Sequence, residues 1–255
     1  MSELPVTPER VRAAYDLVRG RVRRTPTLRP ERVFGHDALS LKLELLQHAG
    51  SFKTRGAFHT LLSQAAPPAR VAAASGGNHG VAVAYAAKVL GLPARVFVPS
   101  IASTAKVAAI RAHGAEIVIG GDRYADAQAA CDRFAAEAGA LVVHPYDTVP
   151  TIAGAGTVAL EWEEDAALDT VLVACGGGGL AAGMAAFWAG RVKVVAVEPE
   201  GSRALHAALE AGRPVDVPVE SVAADSLGAR AAGKIAFEIA SKHVDHVALV
   251  SDDAI

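Results

Sequence analysis

The chain has 255 residues, which is enough for one large domain or two modest ones with a well-packed core. Hydrophobic residues make up 51% of it and charged residues 20%, and this balance excludes a largely disordered chain. The formal net charge of −2 predicts no nucleic-acid partner and no anionic-membrane partner, and the apolar runs are too short to span a bilayer.

Apolar runs of strand type alternate with alanine-rich stretches of helical pattern. The predicted strands cover residues 70–74, 95–98, 116–119, 140–143, 170–174, 192–197 and 246–250. The predicted helices cover residues 57–62, 80–90, 103–113, 122–138, 151–165, 180–189, 202–211 and 233–242. This alternation predicts an α/β fold with parallel sheets, and the continuously apolar strands predict helices on both faces of each sheet.

Two points interrupt this rhythm and predict domain boundaries. Residues 65–68 read AAPP, which stops a helix, and residues 144–146 read HPY, which ends a strand. We therefore expect a small βα domain over residues 67–145. A larger discontinuous domain would consist of residues 1–66 and 146–255.

The cysteines and the N-terminus bear on the compartment. Cys131 and Cys175 lie far apart and form no CxxC pair, which predicts a reducing environment without a disulfide framework or zinc site. Residues 1–12 are polar and charged and lack the apolar region of a signal peptide. A cytoplasmic protein is the expectation.

The segment SFKTRGA at residues 51–57 places Lys53 among apolar and small residues at the start of a predicted helix. Desolvation and the positive end of the helix dipole both favour the neutral amine over the ammonium ion. A neutral amine is a nucleophile that can form a Schiff base with an aldehyde. The alternative for Lys53 taken alone is a solvated surface lysine.

Two glycine-rich turns each follow a predicted strand and open a helix. The first, SGGNHG at residues 75–80, offers backbone amides to an anion and the amide of Asn78 to an oxygen. Its alternative is a simple βα turn with Asn78 as a capping residue. The second, CGGGGL at residues 175–180, predicts close wrapping of a phosphate by backbone amides, although no P-loop Gly-Lys-Ser/Thr follows. Cys175 is predicted to be a buried strand residue rather than a nucleophile.

A third glycine pattern, GAGTVA at residues 154–159, matches the dinucleotide fingerprint GxGxxA only weakly. No strand precedes it, so we interpret it as a close-packed helix with Glu161 on the next turn. The nine histidines show no metal-ligand spacing, and we predict no metal site.

Taken together and in this order, these segments are specific. The chain resembles the threonine/serine dehydratase branch of the pyridoxal-phosphate enzymes of the tryptophan-synthase-β fold (fold type II). The resemblance covers the chain from about residue 25 to its end. The matching segments are SFKTRGA at 51–57, SGGNHG at 75–80, GTVALE at 156–161, GGGGL at 176–180 and VEP at 197–199. It implies two parallel-sheet domains with pyridoxal 5′-phosphate bound between them.

The resemblance also implies residue roles. Lys53 would hold the cofactor and act as the catalytic base, and Phe52 would pack beside the cofactor ring. Asn78 would contact the ring hydroxyl oxygen. The backbone amides of the second turn would bind the phosphate, and the loop of the first turn would receive the substrate carboxylate. The phosphate group of residues is Gly176, Gly177, Gly178, Gly179 and Leu180, and the carboxylate group is Ser75, Gly76, Gly77, Asn78 and His79.

The implied reaction is β-elimination from L-threonine or L-serine to a 2-oxo acid and ammonia. Racemases of the branch carry a serine at the position of Gly76, and a glycine cannot deliver a proton there, so elimination is favoured. Some relatives bind a divalent cation near the VEP segment. Glu198 matches one of its carboxylates, but Ala204 stands where the second is expected.

The chain ends where relatives of this branch continue with another helix and strand, so the C-terminal part of the larger domain is expected to be missing. Four alternatives therefore stay open. They are serine racemase, another ammonia-lyase of this fold, a cofactor-binding chain with little turnover, and a nucleotide-binding oxidoreductase. A small amino-acid substrate and a homo-oligomer are expected by analogy.

Overall fold

The structure, a computed structural model, describes residues 4–30 and 38–255. Residues 1–3 and 31–37 of the predicted large domain lie outside the described residues. Within the described ranges, no helix combines the length and the apolar character that a bilayer crossing requires.

The N-terminal part contains a helix that was not predicted, α1 (Pro8–Val18). Thr7 caps it, since its hydroxyl accepts the amide of Arg10, and Pro8 stands in the first turn. A short antiparallel pair follows, formed by β1 (Thr27–Leu28) and β2 (Leu41–Lys42). The next helix, α2 (Lys53–Leu62), carries the lysine motif.

The first parallel sheet has four strands in the order β5-β4-β3-β6. Its strands are β3 (Val71–Ala74), β4 (Ala94–Val98), β5 (Glu116–Ile119) and β6 (Leu141–Val142). Its helices are α3 (Asn78–Val89), α4 (Thr104–Ala112) and α5 (Tyr124–Ala138). The register places Val71 of β3 opposite both Ala94 of β4 and Leu141 of β6.

The second parallel sheet has three strands in the order β7-β8-β9. Its strands are β7 (Thr170–Ala174), β8 (Lys193–Pro199) and β9 (His246–Val250). The helices around it are α6 (Val149–Asp165), α7 (Gly179–Trp188), α8 (Ala204–Ala211), α9 (Ala224–Leu227) and α10 (Lys234–His243). The largest buried core lies here, and Trp188, Phe187, Ile152, Met184 and Leu205 are fully buried within it.

The α/β class with parallel sheets is confirmed. Every predicted strand is present with its ends shifted by at most two residues, and α2 begins four residues before the predicted 57–62 helix. The four-stranded sheet falls within residues 67–145 and the three-stranded sheet within residues 146–255. The exact domain boundaries stay a prediction.

The pattern at residues 154–159 lies inside α6 and serves close helix packing, as predicted. A methyl group on Gly156 would lie 2.6 Å from the carbonyl oxygen of Gly183 on α7, and one on Gly154 would lie 2.8 Å from that of Arg55 on α2. Only glycine lets three backbones approach this closely. Since no strand precedes the pattern, the oxidoreductase alternative loses its only support.

Candidate active site

The two glycine-rich turns stand at the carboxyl ends of strands in different sheets. The first turn (residues 75–77) connects β3 to α3, and the second turn (residues 175–178) connects β7 to α7. In parallel α/β sheets this is the edge at which ligands bind, and helix N-termini there attract anions. Both helices begin without a side-chain cap in the described structure, which leaves their first amides open to a ligand.

Lys53 is the first residue of α2 and is partly buried. Its ammonium Nζ donates to the carbonyl of Pro145 at 2.7 Å and lies 5.1 Å from the ring centroid of Phe52. Burial lowers the pKa of Lys53 from 10.5 to about 8, so the neutral amine becomes accessible close to neutral pH. Two residues earlier, the hydroxyl of Ser51 is buried and has no hydrogen-bond partner among the described residues.

A buried ion network fixes the helix that carries Lys53. The guanidinium of Arg55, with no exposed surface, binds the carboxylate of Glu161 through two contacts of 2.8 and 2.9 Å. It binds the carboxylate of Glu44 through two more, of 2.8 and 2.7 Å. Lys42 reaches Glu161 at 3.3 Å from the other side. These carboxylates raise the pKa of Arg55, and the network ties α2 to α6 and to the N-terminal segment.

The segment 143–147 joins Lys53 to both turns, a role that the sequence did not predict. Its Val143 carbonyl accepts from the ring nitrogen Nε2 of His79 on α3 at 2.8 Å. Pro145 receives Lys53, and the carboxylate of Asp147 accepts the amides of Lys234 and Ile235 at the start of α10. We predicted only a domain boundary here. The contacts could not be found locally, because each partner is about 90 residues away, or 64 residues in the case of His79.

The tetraglycine turn is packed tightly against this segment. A methyl group on Gly177 would lie 2.5 Å from the ring of Tyr146, and one on Gly179 would lie 2.7 Å from the Tyr146 carbonyl. One on Gly176 would lie 2.8 Å from the carbonyl of Leu227, and Gly178 has the left-handed φ of +89°. Packing within the protein thus demands these glycines even before a ligand is considered. The side chain of Leu180 packs against the large core, so only its backbone can face a ligand.

The first turn is closed by the hydroxyl of Ser75, which accepts the amide of Gly77 at 3.1 Å. Gly77 is the N-cap of α3, so Asn78 is not the capping residue that the alternative interpretation assumed. Asn78 is partly exposed at the first helical position. His79 is buried, and burial with the nearby Lys53 charge lowers its pKa to about 3. Because its ring donates to Val143, only its backbone amide is available in the turn.

Gly76 has no room for a side chain. A methyl group there would lie 2.5 Å from the β-carbon of Ala102 and 3.0 Å from Cγ1 of Val98. Ala102 lies in the connection between β4 and α4. A serine at this position would require that connection to move.

Glu198 and Cys175 are both buried, the latter as predicted. The Glu198 carboxylate accepts the amides of Leu205 and His206 at 2.9 Å and so caps α8. Burial raises the pKa of Glu198, and burial beside that carboxylate raises the pKa of the Cys175 thiol well above 9. The described residues contain no group of three or more His, Cys, Asp or Glu side chains that could hold a metal ion.

Comparison with known proteins identifies relatives along nearly the whole chain. A phenylserine dehydratase from Ralstonia pickettii is 43% identical over 225 residues, which cover 85% of this chain and 68% of that protein. An L-threonine ammonia-lyase from Geobacter sulfurreducens is 37% identical over 253 residues, which cover 96% of this chain and 63% of that protein. The chain therefore spans about two thirds of the length of these relatives.

Solved structures agree with this relationship. The structure of maize serine racemase superposes with a TM-score of 0.91 at 31% identity and covers 98% of this chain and 78% of its own. A threonine deaminase from T.th. superposes with a TM-score of 0.90 at 35% identity and covers 97% of this chain and 83% of its own. The family described as "Pyridoxal-phosphate dependent enzyme" matches residues 18–255. The chain belongs to the pyridoxal-phosphate dependent enzymes, with the fold of the threonine deaminases and serine racemases.

Proposed function

We propose that this chain is a pyridoxal-phosphate dependent ammonia-lyase that converts L-threonine or L-serine into a 2-oxo acid and ammonia. The observation that carries the proposal is the position of Lys53. Its amine is partly buried and bound to Pro145, in the segment that contacts both the His79 end of the first turn and the tetraglycine turn. The threonine and phenylserine dehydratases among the relatives support elimination as the reaction.

The residues present fit the cofactor. The uncapped N-terminus of α7, preceded by Gly178 at φ +89°, suits a phosphate, because the backbone amides there have no intrahelical acceptor. We assign the amides of Gly176–Leu180 to the phosphate and the amine of Lys53 to the aldehyde carbon. Phe52, whose ring lies beside the Lys53 amine, would flank the cofactor ring, and the partly exposed amide of Asn78 would meet its hydroxyl oxygen.

The substrate carboxylate would be received by the first turn. The N-terminus of α3 presents the amides of Asn78 and His79 there, and Ser75 and Gly77 shape the turn. Gly76 keeps the turn free of a side chain. The carboxylate carries the negative charge that every α-amino acid shares, so this turn orients the substrate without selecting among side chains.

The chemistry of the chain centres on one proton. Bound cofactor supplies an electron sink for the negative charge that remains when the Cα proton leaves. Lys53 takes that proton, which requires a neutral amine, and its lowered pKa of about 8 makes that form accessible. The β-hydroxyl leaves as water, and the water is taken up again when the nitrogen is released. The net change is therefore one amino acid to one 2-oxo acid and one ammonia.

Serine racemase is the second candidate, because a racemase structure superposes over nearly the whole chain. Racemisation needs a proton donor on the opposite face of the substrate, and the position that carries it in racemases is Gly76. The contact of 2.5 Å that any side chain there would make with Ala102 argues against such a donor. Elimination is the better supported reaction.

The test uses the cofactor-loaded chain and a panel of L-threonine, L-serine, D-serine and phenylserine. We expect keto-acid release from the L-hydroxy amino acids. We also expect borohydride reduction to fix the cofactor mass on the peptide that contains Lys53. Lys53→Ala should lose turnover and labelling together, whereas Lys242→Ala, an exposed lysine on α10, should keep both. Labelling of a different lysine, or wild-type turnover in Lys53→Ala, would refute the assignment. Labelling without any turnover would leave a cofactor-binding chain.

A further inference from the structure

An ion pair crosses from the four-stranded sheet region to the three-stranded one beside the first turn. Lys106 stands in the first turn of α4, and its ammonium contacts the carboxylate of Asp225 on α9. The two residues are 119 positions apart in sequence. The Lys106 side chain is 21% exposed and that of Asp225 is 69% exposed, so the pair is open to an incoming solute.

The pair lies directly against the turn that we assign to the substrate carboxylate. A methyl group on Gly77 would be 3.9 Å from Nζ of Lys106 and 3.7 Å from the backbone carbonyl of Asp225. It would also be 3.9 Å from the Ser75 hydroxyl. The ammonium of Lys106 therefore stands within contact range of the space in front of the turn.

The same short helix reaches the second turn. Leu227, two residues after Asp225 on α9, places its carbonyl 2.8 Å from the position of a methyl group on Gly176. Gly228 closes α9, where a methyl group would meet the Ala224 carbonyl at 2.2 Å. Asp225 is thus held at a defined position between the two turns and carries a negative charge beside the uncapped N-terminus of α3.

We propose that Lys106 is a second binding group for the substrate carboxylate and that Asp225 is the internal carboxylate with which the substrate competes. The inference rests on the proposed function, because it takes the first turn as the carboxylate site. In the ligand-free chain, Asp225 neutralises the Lys106 ammonium. A substrate carboxylate at the Gly77 turn shares that ammonium, and the competition sets substrate affinity.

Competition and simple structural support predict opposite results for the two halves of the pair. If Lys106 binds the substrate, Lys106→Met raises KM for L-threonine about tenfold with little change in kcat, because a charge-assisted contact is lost. Asp225→Asn lowers KM severalfold, because Lys106 is no longer neutralised. Lys106→Arg retains the charge and keeps KM near the wild-type value. If the pair only holds α9 in place, removing either partner weakens binding.

The second measurement does not depend on turnover. Calorimetric titration of the cofactor-loaded chain with 2-oxobutanoate, a carboxylate product, should show weaker binding for Lys106→Met and tighter binding for Asp225→Asn. A loss of fold cannot tighten binding, so the Asp225→Asn result separates competition from damage. Weaker or unchanged binding in Asp225→Asn, or unchanged binding in Lys106→Met, would overturn the proposal. If the wild-type chain releases no keto acid, the proposed function fails while this titration still decides the role of Lys106.

Discussion

Arg55 offers the sharpest test of how the chain positions Lys53. Its guanidinium has no exposed surface and makes four contacts of 2.7 to 2.9 Å with two carboxylates. Glu161 is 1% exposed and Glu44 is 14% exposed. We therefore expect Arg55→Met to leave one carboxylate deeply buried without its main partner.

The magnitude follows from that burial. Removing one partner of a buried ion pair costs about 3–5 kcal/mol, since the remaining charge stays desolvated. Lys42 still faces Glu161 at 3.3 Å after the substitution, so we expect a loss of about 3 kcal/mol, at the lower end of that range. Arg55→Lys retains a charge but loses the two-pronged geometry, and we expect it to lose less.

The assay is equilibrium unfolding in urea, followed by circular dichroism and by tryptophan fluorescence. The matched control is Arg230→Met, because Arg230 pairs with Asp216 at 3.5 Å while both side chains are mostly exposed. Such a surface pair contributes about 0–1 kcal/mol. A free energy of unfolding for Arg55→Met within about 1 kcal/mol of the wild-type value would refute the reasoning.

Two further predictions follow from the packing and from the histidines. Gly183→Ala should lower stability by about 1–3 kcal/mol in thermal unfolding, because the added methyl group would lie 2.4 Å from the Ile152 carbonyl and 2.8 Å from the Gly156 amide. Gly20→Ala, with nothing within 4 Å of the added group, is its control, and equal losses in both variants would contradict the packing argument. The pKa of His79 is lowered to about 3 in the folded chain, whereas an unfolded histidine has a pKa near 6.5. The unfolded state therefore binds the extra proton first, and the His79 contribution to stability, fully present above pH 6.5, is lost as pH falls towards 3. His79→Gln should flatten the fall of unfolding free energy between pH 7 and 5, and an unchanged slope would show that other groups produce it.

The local features of the site were predictable from the sequence. The lysine motif and both glycine turns lie within short segments, and strand-to-helix alternation put the turns at the carboxyl ends of strands. Helix α1 could also have been predicted, because Thr7 and Pro8 form a start signal and Val11, Ala14 and Val18 lie on one buried face. The substrate preference could not be predicted, since the turn for the carboxylate reads only what amino acids have in common.

Sequence by itself determined the α/β class, the order of the elements and the identity of the lysine and glycine segments, because helix and strand periodicity and glycine requirements act over a few residues. Only the tertiary structure decided how Lys53 is held. The Arg55 network, the 143–147 segment and the pair of Lys106 with Asp225 join residues that are mostly 64 to 119 positions apart. Charge and packing between such distant residues depend on how the helices and sheets come together, and no local pattern in the chain carries that information.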